Sequence, residues 1–240
     1  MKHFIFTFFI LFSFSLVGQE NKLLWDYPVK PGMEEWKKFQ SNEEMVNACQ
    51  IPEKILLSLS TEDLTDLCLR YPLLYDVFAF DNLNFGLDKL FRDFNGIREL
   101  YKRKDISNSL TKRYIQKIQS LSFLDGKNSE IEKGYFIISI SALEVLLSQV
   151  ERYNGEEKDN LKEILQNFVA GYEGKWKYAD YFKGFGFQTN FYSRGHIITK
   201  MDISTVERLP QREKNSVLVS GMANEQSINV INELSYQLIK

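Results

Sequence analysis

Histidine, cysteine and proline are all scarce: two, two and five residues in a chain of 240. His3 lies in an apolar leader, so any histidine chemistry in the rest of the chain falls to His196 alone. That excludes a two-histidine metal motif. A Ser–His or Cys–His catalytic set would have to use His196, and no G-x-S-x-G elbow accompanies it. Two thiols without a C-x-x-C or a neighbouring histidine do not form a zinc cage, so no metal and no cofactor are expected. Low proline and 13 glycines exclude collagen-like and low-complexity chains. The net charge of −2 has its signs interspersed, with no basic stripe of the kind nucleic acid selects.

One long apolar run is present. Lys2 and His3 precede Phe4 to Val17, and Gly18 stands before polar Gln19-Glu20-Asn21. A basic start, an apolar stretch too short to span a bilayer and a small boundary residue read as a signal peptide over 1–18. The expected address is the periplasm, the cell surface or the medium, with no membrane span after cleavage. In such a compartment Cys49 and Cys68 could form a disulfide. The alternative, which the helical stripe Leu64, Leu67, Cys68 and Tyr71 favours, is two buried thiols.

The pattern after the leader is mainly helical. Residues 19–33, with Pro28 and Pro31, read as an extended lead-in that Trp25 and Tyr27 could strap onto a single domain over 34–240. Ser41 with Glu44 and Ser129 with Glu132 have the spacing of capping boxes. Asn82 to Gly86 reads as a break, with helical spacing resuming at Leu87; Asn95-Gly96 reads as a turn. The run Phe136, Ile140, Leu143, Leu147 is apolar on most faces, which places its helix centrally. Leu161, Ile164, Leu165, Phe168, Val169 and Tyr172 repeat the helical period. Phe185, Phe187, Thr189 and Phe191 alternate, as do Ile197, Thr199, Met201 and Ile203, around Ser193-Arg194-Gly195. That predicts a β-hairpin near 184–203. The expected architecture is a compact multi-helix domain with a small C-terminal hairpin.

The residues between 49 and 104 carry a resemblance. Ser60-Thr-Glu-Asp-Leu64, Cys68-Leu-Arg-Tyr-Pro72 and Phe94-Asn-Gly96 with Arg98-Glu-Leu-Tyr-Lys-Arg103 resemble an uncharacterised family of exported proteins from Bacteroidetes-type bacteria. The resemblance implies export and a helical N-terminal portion, and brings no activity or site residues with it.

Candidate site residues are few. Glu144 interrupts the most apolar helix, and a buried carboxyl there would be a functional candidate. With no second acid assignable to it, it reads as a helix-edge or capping residue. His196 reads as a solvated residue beside the hairpin turn. On a hairpin, Phe185, Phe187 and Phe191 face the core, while Tyr192 faces away and Trp176, Tyr178 and Tyr181 precede the strand. These four rings are the candidate contacts for a protein or glycan partner. The leading expectation is a non-enzymatic exported binding protein. The alternative is a glycoside hydrolase working through two carboxylates on envelope or dietary polysaccharide.

Overall fold

The computed structural model describes residues 25–149, 152, 158–202 and 225–240, with isolated positions between 204 and 214. The proposed leader 1–18 and the last residue of the predicted hairpin lie outside the described residues. Eleven helices occur among the described residues: α1 Asn42–Ala48, α2 Glu53–Ser58, α3 Thr61–Leu69, α4 Leu83–Asp93, α5 Asn95–Leu100, α6 Ile106–Gln119, α7 Glu130–Leu147, α8 Lys158–Trp176, α9 Ala179–Phe182, α10 Phe185–Met201 and α11 Glu225–Ile239. A 3₁₀ segment, Leu74–Ala79, joins α3 to α4. No β-strand occurs among the described residues.

Caps set several starts. Ser129 accepts from the Glu132 backbone N–H, and the Glu132 carboxylate accepts from that of Ser129 at 2.8 Å, closing the box that opens α7. At α1 the Ser41 hydroxyl caps Glu44, but the Glu44 carboxylate takes the N–H of Gln40 instead of Ser41. Asn82 caps α4 through the N–H of Asn84, so that helix begins four residues before the predicted resumption at Leu87. Gly86 therefore lies inside α4, where the Val77 backbone comes too close for a side chain. Likewise Asn95-Gly96 opens α5 and is no turn.

The long helices form the centre. α10 packs on α7, α8 and α11, and α6 packs on α7 and α8. α3, α5 and α4 form the N-terminal flank, with α3 against α6 and α4 against the 3₁₀ segment. One apolar core runs from Tyr27 to Ile231. Each large side chain it removes from water contributes about 1.5–3 kcal/mol. Tyr27 enters that core and donates from its hydroxyl to the Leu67 carbonyl at 3.0 Å, fastening the lead-in to α3. Cys49 and Cys68 are unbridged and buried. Burial pushes the Cys49 thiol up to about 11 and raises the Cys68 thiol well above its ordinary value, which keeps both protonated at neutral pH.

The predicted hairpin is a helix. Phe185–Met201 is continuous α10, entered through Gly184 at a φ of 80° that favours glycine. Because α7, α8 and α11 enclose it, residues around most of its circumference are buried, and the one-sided stripe that would mark a helix is lost. What remains in the sequence is an apparent alternation. Gly195, read as a turn residue, lies buried within the helix.

Candidate functional site

Three helices, α7, α8 and α10, with α6 beside them, bring polar side chains to the middle of the core. Glu144 of α7 is 0% exposed, as is Lys175 of α8. Lys175 Nζ donates to Glu144 Oε1 at 2.6 Å and to the Gly186 carbonyl at 2.9 Å. The same carboxylate oxygen accepts from Tyr114 at 2.9 Å and Asn190 at 2.8 Å, while Oε2 accepts from Thr189 at 2.8 Å. Glu144 is thus neither an edge residue nor a cap. Its charge is met by a cation and three neutral donors, the arrangement a buried carboxylate requires.

Arg194, one helical turn beyond Asn190, is also buried. Its guanidinium donates to Asn232 at 2.9 Å and Ser235 at 3.4 Å on α11, and lies over the rings of Tyr172 and Phe191. Burial lowers Arg194 to about 10, so it stays charged at neutral pH. Burial likewise lowers Lys175, opposed by Glu144. Tyr114 is held far above the ordinary phenol range by burial and by the adjacent carboxylate, which makes it a hydrogen donor and never a base. The cluster is closed to solvent, and its one carboxylate has all its neighbours supplied by the protein. It joins α6, α7, α8, α10 and α11 and offers a substrate no approach.

A surface concavity lies elsewhere. A cleft of about 820 Å³ opens between α3 with the 3₁₀ segment on one side and α6 with α7 on the other. Leu69, Leu74 and Leu143 line it with four aromatic residues, Tyr75, Phe123, Tyr135 and Phe136. Phe123 and Phe136 stack at 4.9 Å, and Tyr75 meets Tyr135 at 6.3 Å. Tyr135 is 61% exposed. Two carboxylates also line the cleft, and both are engaged. Asp66 accepts from Arg113 at 2.8 Å, and Glu132 is the capping acid of α7, its carboxyl lowered by the Ser129 hydroxyl and N–H. Lys117 lies half-buried with its Nζ 5.0 Å from the Phe136 ring centre. Its ammonium makes no hydrogen bond or ion pair among the described residues, and burial lowers it.

None of the four sequence candidates lines this cleft. Tyr192, expected to face outward, is buried and donates to Asn84 from α10, because the helix turns it into the core. Tyr178 is buried, its hydroxyl bonded to Asp125 at 2.7 Å. Tyr181 is half-buried and receives Lys133 at 3.1 Å. Trp176 is 56% exposed but leans on Tyr172 and Phe187. His196 is half-buried against the Tyr192 ring at 4.3 Å, not a solvated turn residue. Sequence reading missed the cleft residues because α6 shows Lys117 only as a polar residue off the apolar face. No group of three metal-ligating side chains occurs among the described residues, and none of the described helices is long and apolar enough to cross a membrane. Compared with family models, curated proteins and solved structures, the chain matches none.

Proposed function

We propose that the protein is an exported, non-catalytic binding protein whose cleft between α3 and α6–α7 takes a small molecule with a flat apolar body. The observation that carries this reading is the pairing of a cleft of about 820 Å³ with aromatic walls. That size falls in the range of small-molecule sites, and stacked rings offer faces to a planar group. Export rests on the apolar leader Phe4 to Val17. The hydrolase alternative needs one carboxyl group that holds a proton at working pH. The cleft acids are engaged as acceptors by Arg113 and by the α7 cap, and Glu144 is enclosed, so the geometry favours binding over hydrolysis.

Protein recovered from the periplasm or medium, with its N-terminus near Gln19, is to be titrated with the neutral fluorescent probe 1-pyrenebutyramide. Saturable binding is expected. In Ser139→Trp the new side chain occupies the cleft from α7, and affinity should fall at least about tenfold with the helical circular dichroism unchanged. Equal affinity in the folded Ser139→Trp protein would overturn the assignment of the cleft.

A further inference from the structure

The charged groups lining the cleft are unequally satisfied. Arg113 donates to Asp66 at 2.8 Å and lies 3.6 Å from Glu62. Arg70, at the rim, lies in the field of Asp26, whose carboxyl is raised by burial but lowered on balance by Lys30, the Tyr27 N–H and Arg70. Glu132 is held by the Ser129 cap in the first turn of α7, where the helix dipole favours a negative charge. Lys117 has none of these compensations. Its ammonium meets the face of Phe136, itself stacked on Phe123. A half-buried ammonium over a ring has lost part of its hydration and gained only a weak cation–π contact in return. An anion arriving in the cleft would complete it.

We infer that Lys117 reads the charge of the ligand: the cleft selects a flat apolar acid whose carboxylate pairs with the Lys117 ammonium while its body lies along the aromatic walls. This rests on the cleft being the binding site and goes further by naming the ligand class and the residue that discriminates it. A carboxylate meets an unpaired cation at the edge of an apolar surface, where a charge-assisted hydrogen bond is stronger than in open water. The neutral analogue keeps the apolar contacts and loses that bond. Lys117 is thereby a specificity residue, and the aromatic walls supply affinity common to both ligands.

The test compares 1-pyrenebutyrate with 1-pyrenebutyramide, identical in body and differing in charge. The wild-type protein should bind the carboxylate about tenfold more tightly than the amide. Lys117→Met should abolish that preference while leaving amide affinity within about twofold. Lys117→Arg should retain it, because the cation is kept. Equal binding of the two probes by wild type, or a preference that survives Lys117→Met, would overturn the inference and leave the cleft assignment standing. If Ser139→Trp fails to weaken the amide, the fault lies instead with the cleft.

Discussion

Glu144→Gln is expected to destabilise the fold by about 3–5 kcal/mol, the range found when one partner of a buried ion pair is removed. For a chain of this size that corresponds to a fall in melting temperature of roughly 6–20 °C. The substitution preserves shape and one oxygen acceptor, so little packing is lost. What changes is charge. Lys175 would remain buried without its carboxylate partner and Arg194 without a counter-charge it feels nearby, and the amide put in place of the carboxylate would present hydrogens toward Lys175 or Thr189. Adding Lys175→Met should recover much of the loss, because the pair is then replaced by neutral groups of similar volume. Urea unfolding followed by circular dichroism measures both variants. A loss below about 1 kcal/mol for Glu144→Gln would mean that water reaches the carboxylate.

Gly86→Ala should destabilise by about 3 kcal/mol, at the upper end of ordinary overpacking. A Cβ at this position would stand 2.2 Å from the Val77 carbonyl oxygen and 2.8 Å from its carbon. Both are backbone atoms of the 3₁₀ segment, so no rotamer change relieves the clash. α4 would have to move off Leu74–Ala79, and that segment carries Leu74 and Tyr75 into the cleft. Pyrenebutyramide affinity should therefore fall along with stability. Gly134→Ala supplies the comparison. This glycine lies exposed within α7 with nothing within 4 Å of an added Cβ, so alanine should be neutral or stabilising by up to about 1 kcal/mol. Wild-type stability in Gly86→Ala would contradict the close approach of α4 to the 3₁₀ segment.

The helical character of the chain is written locally, and its centre is not. The Ser129–Glu132 box and the Leu161 to Tyr172 period depend on residues a few positions apart, and both are read directly from spacing. α10 shows where that fails. A helix enclosed on several sides needs no polar stripe, and Phe185, Phe187 and Phe191 fall by chance, with Thr189, on alternate positions. A better signal was present in the same segment. Thr189 and Ser193, and Asn190 and Arg194, repeat at i, i+4, the spacing of one helix face. Glu144 was conspicuous as a lone carboxyl in an apolar run, yet its partners lie on α6, α8 and α10 and share no motif with it. The cleft is less legible still. Its lining comes from α3, the 3₁₀ segment, α6, α7 and, through Phe123, the short 3₁₀ turn Leu121–Asp125 after α6, and only tertiary packing sets Lys117 over Phe136.

The most direct test is a crystal structure of the protein grown with 1-pyrenebutyrate. The account predicts the pyrene against Phe136 and Tyr135 in the cleft, with the carboxylate within hydrogen-bond distance of Lys117 Nζ and the Glu144 cluster unchanged. Pyrene seated on Trp176, or inserted beside Glu144 and Lys175, would contradict it.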